Sequence, residues 1–197
     1  MADHRAIMAV SEAIVNLLRV NYRPEDFNNE LEFKVFTSKD FGSNTIHNGA
    51  SLFPYRIYAN GAHRTPSGRV GLDGRPLRSV LPVELHFLIT VWGKEASLQH
   101  TLAGWIMRTL EDTPTLPAGI LNSVVPEAFR QDETVDVSLA ELRTEDMFRI
   151  WDVIGLNLYQ LSIPYVARII HIESTQPRRF DVAEPVQERT VGVTPIN

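Results

Sequence analysis

The sequence has no cysteine among its 197 residues. This absence excludes a disulfide framework, a thiolate nucleophile and any zinc or iron–sulfur site with cysteine ligands. Long apolar runs are absent too. No stretch reaches the roughly 20 apolar residues of a membrane-spanning helix, and Asp3, His4, Arg5 and Glu12 interrupt the run that a secretory signal would need. We therefore expect no membrane partner and a protein that is made in the cytoplasm.

Lysine is scarce, and the basic residues are dispersed. Lysine occurs only at positions 34, 39 and 94, so arginine supplies nearly all of the 19 basic side chains, against 24 acidic ones and a net charge of -5. A binding site for a phosphate backbone needs a clustered basic face, which this sequence lacks, so we expect no nucleic-acid partner. Arginine is well suited to paired hydrogen bonds with carboxylates at protein interfaces.

Motifs of the common catalytic and cofactor sites are missing as well. The chain has no HExxH zinc motif, no GxSxG nucleophile elbow, no GxxxxGK[ST] phosphate loop and no GxGxxG after a strand. No two of the six histidines are four residues apart, and His86 and His171 fall on predicted strands, where we expect hydrogen-bonded structural side chains. We predict no catalytic residue, no metal site and no cofactor.

Apolar spacing divides the chain into helices and strands. Helical periodicity predicts helices over 7–18, 95–110 and 144–154. Strict alternation predicts strands over 31–35, 53–59, 83–91, 135–139 and 159–169. Thr144 is the predicted N-cap of the third helix. Pro164 predicts that the last strand lies at a sheet edge or contains a bulge.

The predicted elements indicate an α+β fold. Hydrophobic residues make up 44% and charged residues 22% of the chain, values typical of sequences that fold. Strands outnumber helices and do not follow a repeating βαβ order, which favours a single mixed, mostly antiparallel sheet with helices packed on it. Trp105 and Trp151 fall on the apolar stripes of their helices, so core packing is a better interpretation than a ligand cage.

Two segments do not fit the core pattern. The first, 60–81, contains four glycines, two prolines and the arginines Arg64, Arg69, Arg75 and Arg78. It predicts a long projecting loop, either an interaction surface or a plainly solvated loop. The second, 174–197, combines prolines with Phe180, Val182, Val186, Val191 and Val193. It predicts an extended arm that follows a domain over 1–173. These nine residues are the candidate assembly interface.

Several segments together resemble one known family. The landmarks are the first amphipathic helix, Leu52–Ile57 with Asn60 and Arg64, Arg75–Leu77, Pro82–Thr90, Leu102–Leu110 running into Asp112–Pro114, Asp146–Trp151, and Tyr159–Ser162 with Pro164 and Tyr165. In this order they are similar to the cap, or tail-terminator, proteins of extracellular contractile injection systems, of the antifeeding-prophage and Photorhabdus virulence cassette type. The resemblance spans roughly 7–174.

The resemblance implies a structural role without an active site. Such caps have a tail-terminator-like fold, form a homohexameric ring, stack on the last layer of the inner tube, touch the sheath and close the end distal to the baseplate. The particle is assembled in the bacterial cytoplasm and then released. Three alternatives stay open: a terminator or neck protein of a headed phage, a motif-free small-molecule enzyme, and a monomeric binding module.

Overall fold

A computed structural model describes residues 2–27, 30–43, 46–63 and 80–174 of the chain. The helices of this part are α1 (Ala6–Asn21), α2 (Pro24–Phe27), α3 (Ala96–Asp112), α4 (Ala118–Leu121) and α5 (Thr144–Ile154). The strands are β1 (Glu32–Val35), β2 (Gly49–Ala59), β3 (Val80–Trp92), β4 (Thr115–Pro117), β5 (Thr134–Leu139) and β6 (Ser162–Glu173). Every helix and strand predicted from the sequence is present. No helix in the described ranges is both long and apolar enough to cross a membrane.

The strands form one six-stranded sheet in the order β1-β2-β3-β6-β5-β4. Only β1 and β2 run parallel, and the other four neighbouring pairs are antiparallel. This confirms the predicted single mixed, mostly antiparallel sheet. The two longest strands, β3 and β6, lie at the centre, and most side chains of β3 are buried.

One face of the sheet carries the main core. The alternating side chains of β3 that the sequence places on one face are all buried: Val83, Leu85, Phe87, Ile89 and Val91. Helices α1 and α3 contribute to the same cluster of buried residues. Nine residues of the 16-residue helix α1 are buried, because its apolar positions recur at helical spacing and cover the sheet continuously.

A smaller aromatic core lies on the opposite face. Phe36, Phe41, Ile46 and Trp151 are buried together, and the ring centroids of Phe41 and Trp151 are 5.3 Å apart, edge to face. Trp151 comes from α5 and is the only buried residue of that helix. Helix α5 is therefore held on the sheet mainly by one side chain.

The three tryptophans do not form a common cage. Trp105 contacts Phe27 and Phe33 beside the main core, whereas Trp92 and Trp151 belong to the aromatic core on the other face. The Trp92 indole N–H donates to the Ser51 hydroxyl at 2.9 Å. This confirms the interpretation that the tryptophans serve packing.

Strand β6 differs from its prediction in two ways. It lies between β3 and β5, not at an edge, and Pro164 pairs with Leu88. Proline is tolerated because its carbonyl accepts from the Ala140 N–H just beyond the end of β5. In antiparallel pairing the N–H and carbonyl of a residue point to the same side. The N–H that Pro164 lacks would therefore point towards Ala140, just beyond the end of β5. Alternation continued along β6 would bury Ile169, but Ile170 is buried instead. The reason is a register shift: Val83 pairs with Ile170 and Leu85 with Ala167, so β6 has one extra residue between these pairs.

Three smaller differences concern element ends. The N-cap of α5 is Arg143, without a side-chain capping bond, and Thr144 is already helical. Strand β2 begins four residues before the predicted Phe53, and a bulge at Tyr55 breaks its alternation. The short strand β4 was not predicted, because its three residues show too little alternation to be distinguished from a turn.

Candidate assembly surface

The nine residues predicted as the assembly interface all lie outside the described residues. Arg64, Arg69, Arg75 and Arg78 belong to 64–79, and Phe180, Val182, Val186, Val191 and Val193 belong to 175–197. Their role stays a prediction, as does the division into a domain over 1–173 and an arm over 174–197. The described chain ends just beyond β6, whose last residue is Glu173.

The most distinctive surface of the described chain is a free sheet edge on β2. Strand β1 pairs only with Gly49–Leu52, and β2 continues alone to Ala59 on that side. Its other side is paired with β3 along nearly its whole length. The outward backbone groups over Pro54–Ala59 therefore have no strand partner within the described ranges. Six residues of strand span about 20 Å, the usual length of a strand in a globular protein.

Two pockets flank this free edge, one beside each neighbouring helix. A pocket of about 630 Å³ lies between the edge and α1 and includes Ile7, Met8 and Glu12. A pocket of about 290 Å³ lies between the edge and α5 and includes Ile150 and Val153. Both pockets include Ser38 and Phe53, at the point where β1 has ended. Since α1 and α5 belong to the clusters on opposite faces of the sheet, the pockets flank the edge from both sides.

Apolar side chains are exposed beside the pocket at α5. Val153 is 89% exposed, and Phe148 and Tyr159 are about half exposed, with ring centroids 5.6 Å apart. The edge itself adds Ile57 and Tyr58, which are also about half exposed. Exposed large apolar side chains beside a pocket are candidates for an interaction surface.

The free edge of β2 differs from the outer edge of β1. On β1 the Arg19 guanidinium donates to the Phe33 carbonyl at 2.8 Å and occupies an outward backbone acceptor. On β2 the Arg56 guanidinium lies 5.1 Å from the centroid of the Tyr58 ring, where it makes a cation–π contact with a side chain. Burial raises the pKa of Tyr55 above its ordinary value, so this phenol at the rim of the smaller pocket stays neutral at physiological pH.

A polar groove of about 630 Å³ is lined in part by residues of β3 and β6, among them Glu84 and Arg168. Its central carboxylate, Glu84, accepts from the Asn60 amide at 2.8 Å and lies 3.4 Å from the Arg168 guanidinium Nε. His86 lies 3.8 Å from the same carboxylate. Burial lowers the pKa of His86, the Arg56 charge lowers it further, and Glu84 opposes the shift. His171 is exposed and lines the groove.

The groove has the character of a structural ion-pair site. Both Asn60 and Arg168 contact the Glu84 carboxylate, so this charge is partnered within the groove. Within the described ranges, no group of three His, Asp or Glu side chains is arranged to hold a metal ion.

Sequence reasoning missed the free edge and its pockets. The edge exists because β1 is four residues long and β2 is eleven. Strand pairing is a tertiary property, so no local pattern shows which half of a strand lacks a neighbour. The sequence signal that bears on it is the contrast between the short predicted strand at 31–35 and the longer apolar stretch that begins before Phe53.

Two solved structures have a similar fold. One is the cryo-EM structure of the sheath/tube terminator of the extracellular contractile injection system PVC in its extended state, with a TM-score of 0.57 and 16% identity over 97% of this chain. The other is the anti-feeding prophage cap, described as the AFP tube terminating cap, with a TM-score of 0.58 and 16% identity over 94% of this chain. The chain spans 64% and 60% of the lengths of those two proteins.

Sequence comparison gives the family directly. No curated protein matches the chain in sequence. The family model of the Pvc16 N-terminal domain, however, matches residues 9–188, which include nearly all of α1, every strand of the sheet and part of the predicted arm. The resemblance stated from the sequence motifs is confirmed. This chain belongs to the Pvc16 N-terminal domain family.

Proposed function

We propose that this chain is a cap, or tail terminator, that closes the end of the inner tube and sheath of a contractile phage-tail-like injection particle, distal to the baseplate. The observation that carries the proposal is the coincidence of two independent comparisons. The family model covers 9–188, and the two similar folds are both terminators of such particles, a PVC sheath/tube terminator and an AFP tube terminating cap.

The proposed mechanism is recognition without chemistry. A terminator needs one surface for its neighbours in a ring and further surfaces for the tube and the sheath. The free edge of β2, the flanking pockets and the apolar surface at Val153 supply contact area of the kind that protein interfaces use. The proposed partners are other copies of the chain in a homohexameric ring, the inner tube protein and the sheath protein. We propose no catalytic step.

The proposed assembly follows from these partners. The domain over 1–173 forms the body of the ring, and the arm over 174–197 reaches a neighbouring chain by adding a strand or wrapping onto it. The loop with Arg64, Arg69, Arg75 and Arg78 contacts a neighbouring subunit or the tube. The ring joins the particle in the bacterial cytoplasm, and the particle is then released.

The test of the proposed function is the length of the tube. Particles assembled with the chain should have a narrow length distribution in electron micrographs, with density for a cap at the end away from the baseplate. Particles assembled without it should have tubes of uncontrolled length, because nothing stops the addition of tube subunits. Identical length distributions in the two preparations would refute the role. Capsids attached to the tubes would instead indicate the terminator or neck protein of a headed phage.

A further inference from the structure

The free edge of β2 and its two pockets have the geometry of a strand-acceptor site. A strand that pairs with an open edge forms backbone hydrogen bonds, and its side chains point alternately to the two faces of the sheet. Here each face offers a pocket beside the edge, one at α1 and one at α5. We propose that this site binds the C-terminal segment of a second copy of this chain, with Val191 and Val193 against α5.

The edge suits an added strand over most of its length. Pro54 has no N–H to donate, and the bulge at Tyr55 bends the backbone beside it. The following residues, Arg56–Ala59, pair in regular register with β3 and have no strand partner on their other side within the described ranges. A strand that pairs there and continues past the bulge would reach the pockets, which border the edge at Phe53–Tyr55. Pro54, the bulge and the Arg56 charge are features that protect an edge from pairing. The Arg56 charge lies against the Tyr58 ring, however, and the exposed Ile57 and Tyr58 side chains bring no charge to the segment that follows the bulge.

The smaller pocket selects apolar side chains. Its lining includes the apolar side chains of Phe53, Ile150 and Ile154, and the lining residue Val153 is largely exposed. Two valines separated by one residue point to the same face of a strand, so Val191 and Val193 can both face this pocket. Burial of the exposed Val153 side chain would add to the contact.

Charge distinguishes this segment from another segment in the arm. Phe180 and Val182 have the same spacing, but Asp181 lies between them and would point to the pocket at α1. That pocket includes Glu12, whose carboxylate would repel the aspartate. Gly192 lies between Val191 and Val193 and brings no charge and no side chain.

Strand topology favours a second copy over the chain's own arm. Strand β6 ends at the same end of the sheet as β2, since Glu173 pairs with Val80 and Ala59 pairs with Val83. The β2–β3 connection leaves from that same end. An arm that returned to the free edge of its own β2 would cross this connection, and connections rarely cross at one end of a sheet. The 17 residue-to-residue steps from Ser174 to Val191 can span about 56 Å at about 3.3 Å per step, enough to reach a neighbour.

Cysteine cross-linking of the full chain tests the inference, because the natural sequence has no cysteine. Val191→Cys is prepared as one protein and Val153→Cys as another, and the two are mixed and treated with a short bismaleimide. The matched control replaces Val153→Cys by Val20→Cys, a helix position that is 75% exposed and lines neither pocket. We expect at least about tenfold more cross-linked dimer with Val153→Cys, because thiols held in one complex react at an effective concentration in the millimolar range.

Each other outcome overturns a stated part of the inference. A yield equal to the Val20→Cys control overturns the acceptor site. A third protein carries both Val153→Cys and Val191→Cys. If the cross-link forms only within this double variant, and never between two singly substituted chains, the claim that the segment comes from a second copy is wrong. A higher yield with Val182→Cys than with Val191→Cys overturns the choice of segment.

The inference rests on the proposed function only in requiring a neighbouring copy, so light scattering is recorded on the same samples. A ring without the cross-link refutes the strand site and leaves the cap function standing. A monomer that also ignores tube and sheath subunits refutes the cap function itself.

Discussion

Replacement of Trp151 by alanine should release α5 from the sheet and leave the rest of the fold in place. The Trp151 side chain is 2% exposed and packs against Phe41 and Tyr159, with centroid distances of 5.3 and 5.5 Å. A buried tryptophan removes about 200 Å² from water, which corresponds to about 5 kcal/mol at about 25 cal/mol per Å². This agrees with the loss of about 3–5 kcal/mol typical of tryptophan-to-alanine changes in cores.

Helix α5 has little else to hold it. Trp151 is its only buried residue, and Met147 and Ile154 are partly buried against the aromatic core. An isolated helix of 11 residues is not stable in water, since helices shorter than about 12–15 residues are marginal even with favourable sequences. Loss of the tryptophan contact should therefore unfold α5 locally. The main core on the opposite face makes no use of this side chain.

Hydrogen exchange measured by mass spectrometry separates local from global loss. In Trp151→Ala, amides of α5 should exchange at nearly unprotected rates, whereas amides of β3 and α1 should keep most of their protection. The control is Leu102→Ala in α3, which lies fully buried in the main core and should weaken protection throughout the domain. If α5 in Trp151→Ala remained as protected as in the natural chain, the single-anchor account of this helix would be wrong.

Further predictions concern the sheet, the titrating side chains and the apolar surface. Gly49→Ala should destabilise the domain by more than about 1 kcal/mol in denaturant titrations. The reason is that Gly49 has φ +143° and an added Cβ would overlap the backbone of β1. An unchanged denaturation midpoint would contradict this close approach of the two strands. His86 has a lowered pKa, so the unfolded state takes up the proton first as pH falls, and stability should decrease as pH drops through and below about 6.5. The decrease should be shallower in His86→Gln. Parallel stability curves for the two proteins would show that burial does not lower the pKa of His86. Burial raises the pKa of Tyr165 to about 12, so stability should decline above pH of about 10 and less in Tyr165→Phe, as checked by thermal unfolding at high pH. Val153→Arg should weaken self-association about tenfold in light scattering, since it replaces an 89% exposed apolar side chain at a proposed interface, whereas Val20→Arg should not; equal effects would place the interface elsewhere.

The sequence predicts best where periodicity is uninterrupted. Strand β3 alternates without a break, and α1 keeps helical spacing over four turns, so both elements and their buried faces follow from the pattern. Strand β2 was only half predicted, because Gly49–Leu52 precede the aromatic residues that signal a strand and the bulge at Tyr55 shifts the later side chains. The local pattern carries no information about which strand becomes the neighbour.

The sheet edge predicted from Pro164 shows the same limit, since β6 is an interior strand whose register shift falls near Arg168. Proline has no N–H, so it is unfavourable inside a sheet where the neighbouring strand would otherwise accept a hydrogen bond from that position. Here Ala140, one residue beyond the end of β5, lies opposite Pro164, so the proline removes a bond only at the end of that ladder. The register of β5 depends on the whole sheet and cannot be read from residues near 164.

The nine residues named as the assembly interface remain a prediction. The sequence indicated recognition surfaces rather than catalytic ones, and it named arginines and valines that lie outside the described residues. The described chain adds the free edge of β2, which arises from the unequal lengths of two paired strands. That inequality produces an open edge only after the sheet has formed.

The absolute mass of the purified chain in solution, alone and with tube and sheath subunits, tests the proposed cap most directly. Light scattering behind a sizing column should give six times the monomer mass of 22.3 kDa, or a complex of that stoichiometry that forms only when tube subunits are present. A species that stays at 22.3 kDa and elutes apart from both partners would contradict the proposal.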